Sequence, residues 1–225
     1  MKNRIFAVCA MLLAGVMALT GCNQGSSGKG AIYANYVEKV MRCSYYGELD
    51  GYTEVIDATK DEAQSVYDTT VEYYANELMS YNEVMVDYIS EDLYNRYVDA
   101  ARKIMAKVKF EIKGSTKVDN DYQVRLDISP VDINDAITDD VSKYVEEYNK
   151  MLEKVDTANL SEEEWTKYEE QYGEAILNII ESHIDTIGYK DVVSKVVIIN
   201  VDSDGYFGIS EDDWYDIDDY VVDMK

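Results

Sequence analysis

Between Val108 and Ile128 the apolar residues of this chain change their period. Val108, Phe110 and Ile112 alternate with Lys107, Lys109, Glu111 and Lys113. Tyr122, Val124, Leu126 and Ile128 alternate with Gln123, Arg125, Asp127 and Ser129. A two-residue period sends successive side chains to opposite faces, so both stretches predict half-buried strands. The polar link Val118-Asp119-Asn120-Asp121 joins them as a hairpin. Pro130 ends the second strand, because proline donates nothing to a ladder. A hairpin with one apolar face is at best marginal alone in water, so the rest of the chain must cover it.

That cover is predicted to be mostly helical. Ile32, Tyr36, Val37, Val40, Met41 and Cys43 recur at helical spacing from Ala31 to about Gly47, a natural stop. Asp50-Gly51 marks a turn, and Tyr52 to Ile56 is a short connecting piece. A second helix starts near Lys60, with Tyr67, Val71, Tyr74, Leu78 and Tyr81 on one face. A third begins after Ser90, an N-cap followed by Glu91 and Asp92, where acids favour the helix dipole. After the hairpin come two longer helices. The first runs from about Ile133 to Val155. The second opens on a Ser161/Glu164 capping box with Leu160 and Trp165 placed for a hydrophobic staple, and Gly188 fits the left-handed position at its end.

The chain then returns to strand character. Val192 to Val201 is apolar on both faces, which predicts a central strand covered on both sides. Asp204-Gly205 turns it into Tyr206 to Ile209. Ser210 caps a short last helix with Trp214, Ile217 and Val221 inward. The sum is an α+β protein: several N-terminal helices, then an antiparallel sheet of three or four strands interrupted by a two-helix excursion. The pattern is loosely similar to uncharacterised lipoproteins of Gram-positive bacteria, and to cystatin-like or NTF2-like folds, which often hold a pocket. No internal repeat or second linker appears, so residues 31–225 are expected to form a single acidic domain.

Charge narrows the partners. The net charge is −24, with 45 Asp and Glu against 21 Lys and Arg. Such a surface repels phosphate backbones, which argues against nucleic acid, and it should stand off from an anionic bilayer. Cations, basic peptides or basic proteins suit it better. Aromatic packing falls to 21 Tyr, since there are only three Phe and two Trp. A tyrosine-rich surface for a glycan or peptide is the sharper alternative to half-buried helix faces.

Few residues could carry chemistry. His183 is the only histidine, and no G-x-S-x-G, papain-like or H-E-x-x-H context surrounds it. Cys43 reads as a small buried hydrophobe. The best candidate is the run from Asn200 to Glu211, which resembles an EF-hand calcium loop. Asn200, Asp202 and Asp204 supply oxygens at its first, third and fifth positions, Gly205 the sharp turn, Tyr206 a backbone carbonyl and Glu211 a final carboxylate. It departs from the pattern in having Asn at the first position and a strand before the loop. A hairpin turn followed by a capped helix explains the same residues. Glu211, Asp212, Asp213, Asp216, Asp218 and Asp219 are six acids in nine residues, expected to form a solvated helix face. A carboxylate-based envelope hydrolase is the enzymatic alternative.

The N-terminus says most about location. Lys2 and Arg4 precede an apolar run from Ile5 to Leu19, 15 residues where a spanning helix needs about 20. Leu19-Thr20-Gly21-Cys22 follows. This order resembles the signal and lipobox of bacterial lipoproteins, in which the cysteine takes a diacylglyceryl group and the chain is cut before it. The resemblance implies a signal over 1–21, lipidation of Cys22, and anchoring at the extracytoplasmic face of the cell membrane. The mature chain would carry 19 Lys and Arg against 45 Asp and Glu, a balance of −26. Asn23 to Gly30, with three Gly and two Ser, reads as a flexible tether. The functional expectation is a non-enzymatic binding or interaction lipoprotein for a small ligand, peptide, glycan or protein. Calcium binding through the 200–211 loop is the alternative, and no other cofactor is indicated.

Overall fold

A computed structural model of the chain describes residues 27–202 and 205–224. In chain order these form α1 (Ser27–Tyr46), α2 (Leu49–Val55), α3 (Lys60–Tyr81), α4 (Glu91–Met105), β1 (Lys109–Val118), β2 (Asp121–Ser129) and β3 (Val131–Asp132). There follow α5 (Ile133–Leu152), α6 (Glu162–His183), β4 (Gly188–Tyr189), β5 (Val193–Val201), β6 (Phe207–Ile209), α7 (Glu211–Val221) and β7 (Val222–Asp223). The class is the α+β one that the two periodicities predict, with α5 and α6 as the excursion between strands of one sheet.

The chain divides into two compact units. One holds the described residues up to Thr70 with Val108–Pro130 and Asp191–Val221. The other holds Val71–Lys107, Val131–Lys190 and the described residues from Val222. The chain passes between them five times. No Gly- or Pro-rich linker is needed for such a division, and none marks it in the sequence.

The first unit is built on the sheet β1-β2-β5-β6, in which every neighbouring pair is antiparallel. Tyr122, Val124, Leu126 and Ile128 of β2 are all buried, as are Val197 and Ile199 of β5. The register sets Tyr122 opposite Ile199 and Val124 opposite Val197, so these side chains share one face. Helix α1 covers that face. Its Tyr33 ring lies 4.3 Å from Tyr122 and 5.0 Å from Phe207, and Tyr36 lies 5.0 Å from Phe207. Tyrosine therefore packs the interior here, and Tyr33, Tyr36 and Tyr122 are buried outright, where half-buried faces were expected.

Four details differ from the sequence expectation. Helix α1 starts at Ser27, so Ser27 to Gly30, the last four residues of the expected tether, begin a helix. Gly30 allows this by close approach: an added Cβ would stand 2.6 Å from the Ser115 hydroxyl. The Asp50-Gly51 turn is inside helix α2 instead, where a Cβ on Gly51 would meet Lys39 at 2.7 Å. Strand β1 runs beyond Lys113 to Val118 through a bulge between Ile112 and Gly114, with Gly114 at φ +123°. Gly188 does not take the left-handed conformation; it opens β4.

A fifth difference concerns β5. It is flanked by β2 and β6, as a central strand should be, but its second face is not covered. Val196 and Ile198 are 47% and 39% exposed, while Val197 and Ile199 are fully buried. Continuous apolarity here fills one face and wets the other. Ile199→Ala is therefore expected to cost about 3 kcal/mol and Ile198→Ala less than about 1 kcal/mol in urea unfolding. Equal costs would mean that the second face is covered in solution.

The second unit is helical, apart from the small sheet β4-β3-β7. Each strand of that sheet lies next to a point where the chain enters or leaves the unit. Lys190 pairs with Asp132 and Asp223 across the sheet. Ser90 caps α4 as expected, and the Ser161/Glu164 capping box starts α6. Helices α4 and α6 pack closely at Gly173, whose carbonyl accepts the buried Tyr97 hydroxyl at 2.7 Å. Arg96 joins the same helices through Asn178 and Glu181, both at 2.8 Å.

Glu169 lies in this unit, 8% exposed, on the helix that also carries Tyr168 and Tyr172. Burial raises its pKa, since a charged carboxylate is poorly solvated there. A raised folded-state pKa means the folded chain holds this proton more tightly than the unfolded chain. The contribution to stability is greatest at low pH and is lost as pH rises through the folded value. Glu169→Gln is thus expected to stabilise the protein at pH 7, with the gain fading towards pH 4 in paired urea titrations.

Candidate functional site

The described residues among those singled out in the sequence for calcium are distributed over β5, the turn after it and the start of α7. Cys22 and Asp204 lie outside the described residues. Asp202 and Tyr206 come together as a hairpin: the Asp202 N–H donates to the Tyr206 carbonyl at 2.9 Å, and the Tyr206 N–H donates to Asp202 Oδ1 at 2.9 Å. Gly205 sits at φ +88°, which glycine adopts without strain. Asn200 is held in the β5 ladder opposite Gly208. Glu211 is the first residue of α7, with the Tyr215 hydroxyl 3.4 Å from its carboxylate. The Tyr206 carbonyl and one Asp202 oxygen are thus already engaged within the turn. Among the described residues, no group of three or more His, Cys, Asp or Glu is arranged to hold a metal ion.

The acids of α7 are used, where a solvated face was expected. Asp213 accepts the backbone N–H of Ile198 at 2.8 Å, which satisfies the edge of β5 beyond the short β6. Asp216 pairs with Lys195 at 2.9 Å, and the Lys195 ammonium stands 3.4 Å from the centre of the Tyr220 ring. Asp218 accepts the hydroxyl of buried Tyr45 at 2.5 Å. Trp214 stacks on the same Tyr45 ring, 6.1 Å away and 5° from parallel. Asp212 and Asp219 face solvent.

His183 and Cys43 are also apart from each other in role. His183 ends α6 and lies 2.9 Å from Asp140 of α5. Cys43 is fully buried, and burial pushes its thiol up to about 12, far from the range of a reactive thiolate.

Surface concavities among the described residues include one beside α1 and one beside α4. The larger, about 510 Å³, is an open groove between the first turns of α1 and the bulge of β1. Gly30, Ala31 and Ala34 make the helix side low, and Asn35 and Glu38 stand along its rim. Lys113, the bulged residue, faces it from β1 and is paired with Glu111 at 2.5 Å and Asp127 at 3.3 Å. The Ser115 hydroxyl donates to the Gly30 carbonyl at 2.6 Å and fixes the helix start against this strand. The second, about 390 Å³, lies beside the start of α4 and is mainly apolar. There Glu170 accepts both the N–H and the hydroxyl of Ser90, at 2.6 and 2.5 Å. Sequence reasoning missed the α1–β1 groove, although the isolated Gly114 inside a strand pattern is the usual sign of a bulge.

The groove is lined by an amide, a hydroxyl, one carboxylate and one ammonium beside strand backbone. That set can hold a polar or extended ligand. It is not a nucleophile with its base.

Among the described residues no helix is long and apolar enough to cross a membrane. In class, the chain is an α+β protein whose main antiparallel sheet is interrupted by helices. Its fold is similar to a crystal structure described as a "putative lipoprotein (ycdA)" from Bacillus subtilis, with a TM-score of 0.52 and 13% identity. The match covers 98% of this chain and 60% of the other, so this chain spans less than two thirds of that one. At such identity the likeness is one of fold. No family model and no curated protein matches the chain.

Proposed function

We propose that this protein is a lipoprotein of the extracytoplasmic membrane face, held by acyl chains on Cys22, whose acidic α+β part acts by binding. The observation that carries the reading is the order of residues 1–22: basic start, short apolar run, and Leu19-Thr20-Gly21-Cys22. The fold likeness to a Bacillus subtilis protein described as a putative lipoprotein supports it. Two acyl chains hold a protein stably where one is marginal, so one modified cysteine is enough.

Binding is favoured over catalysis by the polar α1–β1 groove and by the burial of the Cys43 thiol. Mass spectrometry of the mature N-terminal peptide, isolated from the producing cell's membranes, tests the anchor. The expected peptide begins at Cys22 and carries a diacylglyceryl adduct. A peptide reading through Gly21-Cys22 with a free thiol would overturn the proposal.

A further inference from the structure

The acidity of the chain is unevenly spread within the first unit. Helix α7 carries six acids and no base. On the hairpin beside the start of α1, Lys113, Lys117 and Arg125 stand against Asp119 and Asp121, and Asp202 follows the adjoining end of β5; Lys109 and Glu111 lie towards Tyr46 at the other end of α1. The α1–β1 groove adds Glu38 on its rim, and exposed Lys29 stands one residue before Gly30.

Helix α1 separates these two regions along its length. Its first turns lie against β1, where Ser115 donates to the Gly30 carbonyl at 2.6 Å. Its last turn meets α7, where Tyr45 stacks on Trp214 and donates to Asp218. Gly30 and Tyr45 are 15 residues apart in one helix, about 22 Å of rise. That exceeds two Debye lengths at physiological salt, each about 8 Å.

We propose that the α1–β1 groove end of this unit rests against the phospholipid headgroups, with α7 turned away from the bilayer. The inference rests on the anchoring of Cys22 proposed above. Only residues 23–26 separate Cys22 from Ser27, so the start of α1 stays within about 18 Å of the lipidated residue. The near-neutral groove end is therefore the one the chain brings to the membrane. An anionic leaflet repels α7 and leaves that end in place, and Lys29 and Lys117 supply contacts to lipid phosphates. The uniform standoff suggested by net charge alone becomes an orientation.

The test uses the lipidated protein in vesicles of phosphatidylglycerol and phosphatidylcholine, with a nitroxide at Thr116→Cys on β1 or at Asp212→Cys on α7. Cys22 is acylated and Cys43 is buried, so the introduced thiol takes the label. Collision with an aqueous nickel reagent is expected to be about threefold lower at 116 than at 212, with the contrast shrinking in 1 M salt as the repulsion is screened. Equal accessibility at both positions, or lower accessibility at 212, would overturn the orientation and leave the anchor standing. Failure of the protein to float with vesicles at high salt would remove both the anchor and the orientation.

Discussion

Replacing Cys22 by serine is expected to move the protein from the membrane fraction into the medium, or to leave it as full-length precursor. Serine keeps the size of the side chain but lacks the thiol that forms the thioether to diacylglycerol. Each buried methylene of an acyl chain contributes about 0.8 kcal/mol, so the loss removes nearly all of the anchoring energy. No helix among the described residues is long and apolar enough to replace it. Fractionation followed by immunoblotting reads the result directly. A Cys22→Ser protein that stays in the membrane with residues 1–21 removed would show that another element holds it there.

Trp214→Ala should produce the second large effect, about 4 kcal/mol lost in urea unfolding. The indole is 6% exposed and lies flat against Tyr45. Removing it leaves a cavity between α7 and α1 that one turn of acidic helix cannot refill. The polar ties at Asp213, Asp216 and Asp218 depend on the position of α7, so they weaken together. The Ile198 amide should consequently exchange faster with deuterated solvent. Tyr215→Ala on the exposed side of the same helix should change stability by about 0.5 kcal/mol or less. A Trp214→Ala variant as mild as Tyr215→Ala would mean that α7 is held by its charges alone.

Much of this architecture can be read from periodicity. The alternation at 108–112 and 122–128 identified the hairpin and its buried face, and the cap signals at Ser90, Ser161 and Ser210 are all formed. Where the reading failed, one local signal stood in for another. Past the bulge, Ser115 and Lys117 take the face that Phe110 and Ile112 occupy before it, and the hydrophobic pattern stops although the strand continues. Asp50-Gly51 looks like a turn, but Gly51 lies inside α2, where the Lys39 side chain crosses close over it. The division into two units leaves no mark in composition, because it arises from where distant segments pair. The groove is hidden for the same reason: Gly30 and Ser115 are brought together only by the packing of α1 on β1. The run Leu19-Thr20-Gly21-Cys22, by contrast, resembles a lipobox as a linear pattern, which is read without reference to the fold.

The pairing of β2 with β5 has a consequence for how the chain is made. These strands meet only after the whole excursion through α5 and α6 has been synthesised, and the sheet ends at β6, near the C-terminus. Contacts this distant form late and slowly, since the loop between them must close before they give anything back. If the chain is exported as the proposed anchoring requires, it cannot complete this sheet while its last strands are still inside the channel. Late closure of this kind would leave the polypeptide open during such a passage and defer completion of the sheet to its end.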